Sequence, residues 1–94
     1  MASRTLPDFR LSDHARHRMD ERCIGLIAVR TALRWGRRTW SHGDHRYHLG
    51  RRAVARARRL GVRIDAHEGV FVILSRDGVV RSVYRNRRPR RRRC

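Results

Sequence analysis

Val70-Phe71-Val72-Ile73-Leu74-Ser75-Arg76-Asp77-Gly78-Val79-Val80-Arg81-Ser82-Val83-Tyr84-Arg85 decides the fold of this 94-residue chain. Two runs rich in β-branched and aromatic residues flank Asp77-Gly78, a dipeptide suited to a two-residue hairpin turn because glycine accepts positive φ without steric cost. The segment reads as two antiparallel strands, Val70 to Ser75 and Val79 to Arg85. Alternation along the second strand puts Ser82 and Tyr84 on one face and Arg81 and Arg85 on the other.

Upstream the period changes from two to that of a helix. Ser12-Asp13-His14-Ala15-Arg16-His17-Arg18-Met19-Asp20-Glu21-Arg22-Cys23-Ile24 reads as a capped helix from Asp13 to about Arg22. The Ser12 hydroxyl can accept from a free backbone N–H of the first turn, and Asp13 suits the positive helix end. In steps of four, His14, Arg18 and Arg22 share one side, while Ala15, Met19 and Cys23 form the adjacent apolar stripe. A second helix runs from about Leu26 to Trp35 with Leu26, Val29 and Leu33 on one face and Gly36 as its terminator.

Thr39-Trp40-Ser41 and Arg46-Tyr47-His48-Leu49, about a turn at Gly43-Asp44, read as a short hairpin. Arg51 to Leu60 has the composition of a short, very basic helix stopped by Gly61, with too few apolar residues for a core element. Two helices followed by antiparallel strands make an α+β fold: the N-terminal helices pack on one face of a small antiparallel sheet, with the basic helix as an insertion. The other face, or the sheet edge, is then left for a ligand. Residues 1–10 are expected to be a flexible N-terminus, weakly held over 1–8 with Phe9 and Leu11 as anchors, 11–86 a single domain, and 87–94 a disordered tail. Met19, Val29, Leu33, Val72, Leu74 and Val83 are the expected core.

Composition narrows the partners. A formal charge of +17 arises from 25 arginines, no lysine and 8 acidic residues. Such a surplus attracts polyanions, nucleic acid before anionic membrane. The exclusive use of arginine is read as coding bias, so the charge carries the meaning. No apolar run reaches the roughly 18 residues of a transmembrane helix, and the N-terminus lacks a signal-peptide core, so a cytoplasmic protein is expected. Cys23 and Cys94 lack a paired-cysteine motif and read as a small buried hydrophobe and a terminal thiol, not as a disulfide or zinc framework.

The segment from Ser12 to Ile24 also resembles the opening of the domain of unknown function 4258 family, in its order of serine, His-Ala, Arg-Met, a further arginine and isoleucine. The resemblance continues through Val29-Arg30-Thr31-Ala32-Leu33-Arg34-Trp35-Gly36 and Arg46-Tyr47-His48-Leu49. It closes over 69–85, so it covers most of residues 11–86. That family is grouped with RelE-like toxins, whose ribonuclease fold is shared with barnase and the colicin tRNases. The resemblance therefore implies a RelE/barnase-like fold and RNA cleavage. RelE-like toxins end on a strand whose tyrosine and basic residues contribute to cleavage, which falls by position on Tyr84.

Metal-free RNA cleavage needs a base for the 2′-hydroxyl, an acid for the leaving 5′-oxygen and cations for the charged phosphorane. Histidine, with an ordinary pKa of about 6.5, exchanges a proton near neutrality, and arginine stays charged as a clamp. His14 is the candidate for proton transfer, with Arg18, Arg22 and Tyr84 completing the catalytic set; on composition alone the stripe could equally be solvated surface, and Tyr84 ordinary core. Ser82, Arg85, Arg46, His48, Arg51, Arg87 and Arg88 are the candidate RNA-binding residues. His42, His45 and His48 suggest a metal only superficially: His45 and His48 would point to opposite faces of a strand, and the ligand set is incomplete. His17 and His67 are expected to be solvent-exposed. With no phosphate-binding glycine loop or paired catalytic carboxylates, no cofactor and no metal are expected.

These readings converge on a toxin-type endoribonuclease acting on RNA or the ribosome, with an acidic antitoxin as protein partner and no membrane association. A non-catalytic RNA- or ribosome-binding module uses the same surface. An interaction protein that merely neutralises an acidic partner also accounts for the charge.

Overall fold

The computed structural model describes residues 6–85. The elements follow in the order β1 (Arg10–Leu11), α1 (Asp13–Arg22), α2 (Leu26–Trp35), β2 (Arg37–Ser41), β3 (Asp44–His48), α3 (Arg51–Arg59), a short 3-10 helix (Asp65–His67), β4 (Val70–Leu74) and β5 (Val79–Arg85). The fold is α+β. Its five-stranded sheet has the order β1-β5-β4-β3-β2. All neighbours are antiparallel except β1, which pairs parallel to β5 through Arg10 and Leu11 and makes the sheet mixed. Ahead of α1, Phe9 and Leu11 pack against the core as the expected anchors, and Leu6 joins them. The tail at 87–94, with Arg87 and Arg88, lies outside the described residues.

The helix ends show local chemistry at work. Ser12 caps α1 by accepting from the Ala15 N–H at 3.0 Å. At the other end Cys23 takes the left-handed conformation (φ 53°), the Ile24 N–H reaches the Met19 carbonyl at 2.9 Å, and buried Ile24 and Met19 complete a Schellman turn. Cys23 is thus not the buried hydrophobe expected of it: it is exposed at a helix end and is disulfide-bonded instead of free. The chain's other cysteine, Cys94, lies outside the described residues. Gly36 caps the end of α2 as expected, with its N–H on the Ala32 carbonyl, although its φ of −70° is not left-handed; a Cβ there would lie 2.6 Å from the Ala32 carbonyl oxygen and 3.1 Å from the His48 backbone. Glycine is required at this position for close backbone approach.

α1 lies along β5, and α2 crosses β4 and β3. Met19, Val29, Leu33, Val72, Leu74 and Val83 are all buried in one cluster, joined by Ala15, Ile24, Trp35, Tyr47, Leu49 and Val80. Leu26, expected on the buried face of α2, is 45% exposed. The basic helix α3 was expected to lie outside the core but does not: Ala53, Val54 and Ala57 are buried in the same cluster. Their small side chains let α3 approach α2 closely, while the arginines fan outward. Gly61 (φ +82°) stops the helix in a second Schellman turn, with the Val62 N–H on the Ala57 carbonyl at 2.9 Å.

Two turns shift from their expected positions. The β2–β3 turn is His42-Gly43, both at positive φ (47° and 82°), as a type I′ turn demands. The β4–β5 loop is one residue longer than the expected Asp77-Gly78 turn: Ser75 and Val79 close it, with the Ser75 N–H on the Val79 carbonyl at 2.9 Å and Gly78 at φ +83°. Beyond it, Leu74 faces Val80 whereas Ile73 faces Ser82, so Arg81 is an extra, bulged residue.

Truncating fully buried Leu33 to alanine should cost about 2–5 kcal/mol, a large share of the stability of so small a domain. Gly36→Ala should also lower the thermal midpoint, by forcing α2 and β3 apart. A midpoint unmoved by either substitution, read by circular dichroism, would contradict this packing.

Candidate nucleic-acid interface

The sheet's two faces differ sharply. Tyr47 enters the core, so by alternation Asp44, Arg46 and His48 occupy the opposite face of β3. Register carries that face to Arg37, Thr39 and Ser41 on β2, Phe71 and Ile73 on β4, and Ser82 and Tyr84 on β5. No helix of the core covers these residues. Phe71 is only 7% exposed yet stands outside the core cluster. Its cover is a stack of rings: His48 lies over it at 4.1 Å between centroids and 10° between planes, and Tyr84 on its other side at 4.8 Å and 2°.

Arg46 ties the stack together. Its guanidinium carbon sits 4.9 Å from the Phe71 centroid, and Nη2 donates to the Tyr84 hydroxyl at 3.0 Å. Each aromatic pair contributes about 0.5–1.5 kcal/mol beyond burial. A cation over a ring adds a similar amount. These contacts gather an imidazole, a phenol and a guanidinium on one face of the sheet around Phe71. Ser82 shares the face, opposite Ile73.

Beside His48 opens a groove of about 800 Å³, lined by Arg37, Arg38, Arg51, Arg52 and Arg56 together with Gly36, Gly50 and Ala53. None of its lining residues is acidic. Arg56 is positioned by α2, whose terminal Trp35 carbonyl accepts from Nη2 at 3.1 Å. Gly50 leaves room for the imidazole, since a Cβ there would meet His48 Cε1 at 2.9 Å. Burial, then the charges of Arg46 and Arg37, hold the His48 pKa below its ordinary 6.5, against a smaller opposing pull from Glu68. The shift favours the neutral imidazole, set among fixed cations.

Other candidate residues lie elsewhere. His14 lines a separate hollow of about 460 Å³ with Ser12, Ser75, Asp77, Val79 and Arg81. Its Nε2 faces the Arg18 Nε at 3.4 Å, and Arg18 is itself ion-paired to Glu21 at 3.0 Å. Arg22 donates to the Val83 carbonyl at 3.3 Å. The stripe His14–Arg18–Arg22 therefore follows the β5 edge and does not join the stack containing Tyr84. Arg85 is directed away too, reaching the Ala66 carbonyl at 3.5 Å. There it and, more strongly, burial keep the His67 pKa low; His67 is half-buried, not exposed as expected. His17 is exposed and bridges to Glu21 at 3.3 Å.

Of the sequence candidates, the structure gathers Arg46, His48, Arg51, Ser82 and Tyr84 around one surface. Sequence reasoning missed Phe71, the centre of the stack, and Arg37, Arg38, Arg52 and Arg56, which make the groove. The available signal for Phe71 was its place in a strand whose alternate residues Val70, Val72 and Leu74 suffice for the core. The histidines divide: His45 packs edge-on to Trp40 at 4.7 Å on the helix side, opposite to His48. Among the described residues no three His, Cys, Asp or Glu side chains converge as metal ligands would. No helix among them is long and apolar enough to cross a membrane.

His48 and His67 should titrate below 6.5 in a proton NMR series. Because the unfolded chain takes up these protons first, folding stability is complete above about 6.5 and falls as pH drops through that value. Denaturation midpoints measured from about pH 8 to about pH 5 should show that loss, and His48→Gln with His67→Gln should reduce it. A loss unchanged by the double substitution would show that neither histidine is held neutral.

Compared with known proteins, the chain matches no family model, no curated protein and no solved structure.

Proposed function

We propose that this chain is a toxin-type endoribonuclease that binds single-stranded RNA on the open sheet face and cleaves it by metal-independent acid–base chemistry. The single observation that carries the reading is the His48 imidazole, set between an arginine-lined groove and a stack that ends on the Arg46-bound phenol of Tyr84. Phosphates would lie against Arg37, Arg51 and Arg52, where forked guanidinium donors match their oxygens. His48 would accept the 2′-hydroxyl proton as that oxygen attacks phosphorus. The 5′-oxygen leaves with a proton from Tyr84, whose phenol Arg46 orients, giving a 2′,3′-cyclic phosphate and a 5′-hydroxyl. Arginine charge stabilises the phosphorane between.

This assigns proton transfer to His48 in place of His14. The resemblance of most of residues 11–86 to the 4258 family and the RelE-like toxins supports the activity class, and a cytoplasmic setting is proposed with it. An acidic antitoxin is the protein partner that the basic surface and this resemblance favour. A non-catalytic RNA-binding module is favoured by one fact: the Tyr84 oxygen is already engaged by Arg46, an arrangement equally suited to a fixed docking surface.

Purified protein incubated with RNA in chelator should release fragments with cyclic phosphate ends. His48→Ala should slow cleavage by about 10²–10⁴-fold, and Tyr84→Phe should lower the rate while leaving affinity nearly intact. His14→Ala should leave the rate close to wild type. The logarithm of affinity should fall with that of salt by about 0.7 per phosphate contacted, with a shallower slope in Arg51→Ala and Arg52→Ala. RNA that binds with this salt dependence yet stays intact, ribosomes included, would select the binding module.

A further inference from the structure

We propose that the small pocket at the turn end of the open face seats one guanine base of the RNA strand. The inference rests on the RNA reading above and adds sequence preference to it. The pocket, of about 190 Å³, is lined by Ser41, His42, Asp44, Arg46, Ile73 and Tyr84. It sits at the Asp44 end of β3 and the arginine groove at the His48 end, so a strand laid along β3 reaches both.

Asp44 is the residue that needs an explanation. It places a negative charge within a face otherwise rich in arginine, where a phosphate would be repelled. Its Oδ1 is held by Arg81 Nη1 at 3.5 Å, its side chain is 20% exposed, and it borders the pocket. Arg46, on the same face two residues on, spends Nη2 on the Tyr84 hydroxyl, while its buried Nε has no hydrogen-bond partner. The pocket thus combines the Asp44 carboxylate and the Arg46 guanidinium with apolar Ile73 and the aromatic ring of Tyr84.

Guanine fits this set. Its Watson–Crick edge carries two adjacent donors, N1–H and the N2 amino group, which one carboxylate can accept together. Its O6 and N7 are the acceptors that arginine favours. The other bases each set an acceptor beside their donor: N1 of adenine, N3 of cytosine and the flanking carbonyls of uracil would press lone pairs on the Asp44 carboxylate. Discrimination then arises from repulsion as much as from attraction. Ile73 and Tyr84 contribute base contact that any base could share, so the preference rests on Asp44.

The test uses fluorescein-labelled heptauridylate and its three relatives in which the central base is guanine, adenine or cytosine. The wild-type protein should bind the guanine-containing strand about tenfold more tightly than the other three. Asp44→Asn, whose amide brings a donor to the same place, should bring the ratio of guanine to uracil affinities close to one. Four equal affinities with normal salt dependence would overturn the guanine pocket and leave the RNA-binding face standing. A wild-type preference for another base, or a guanine preference that survives Asp44→Asn, would overturn it as well. No binding by any strand would overturn both readings. The four-strand comparison on the wild type decides even if Asp44→Asn fails to fold.

Discussion

The bulge at Arg81 sets both faces of the sheet. With Leu74 opposite Val80 and Ile73 opposite Ser82, one residue of β5 has no counterpart on β4, and the strand changes phase across it. Val80 and Val83, three residues apart, can therefore both enter the core, where each is fully buried. In a regular strand they would point to opposite faces. The same phase change brings Tyr84 opposite Phe71 on the open face and closes the ring stack. The extra residue then projects as an exposed arginine that reaches Asp44 across the sheet. Apolar burial on one side and aromatic order on the other thus depend on one irregularity. A bulge also bends and twists its strand, as expected near a binding site.

Charge is managed by separation. The core takes only apolar side chains, with no buried charged or polar residue among those described. Arginines are left to helix surfaces, the open sheet face and the groove. Some are restrained by carbonyls: Arg22 covers the Val83 carbonyl at the β5 edge, and Arg56 covers the end of α2. Others meet acids, as Arg58 does with Asp65. The groove arginines face no acid across its walls, so their mutual repulsion persists until an anion enters. That unrelieved positive field, added to burial, also favours the neutral form of the His48 imidazole. One electrostatic arrangement thus sets a strongly positive groove beside a histidine whose pKa is held low.

The helices at 13–22 and 26–35 and the strand at 79–85 were legible from the sequence because their determinants are local: a serine cap, spacing by threes and fours, and β-branched runs. Core membership of α3 was not, since Ala53 and Ala57 carry little apolar surface and earn burial only through close approach to α2. Cys23 misled for the opposite reason, being apolar by type but placed at an exposed helix end. The site was half legible. Arg46, His48, Ser82 and Tyr84 lie on residue types suited to RNA, whereas Phe71 looks like any other apolar residue of a buried strand. His14 stood out by motif yet ended on a different surface, because α1 lies along the β5 edge.

The sequence by itself determined the class of the protein: its net charge, the alternation of helical and extended periods, and the positions where the chain turns. These are properties of neighbouring residues and need no partner. The tertiary structure alone decided which side chains meet. The phase of β5 depends on fitting Val80 and Val83 into a core built by α1 and α2, and the ring stack follows from that phase. The His48 pKa is lowered by burial, to which the stack on Phe71 of a neighbouring strand adds, then by the charges of Arg46 and of Arg37 on another strand. Contacts between residues tens of positions apart are fixed by packing, and packing is a property of the whole chain.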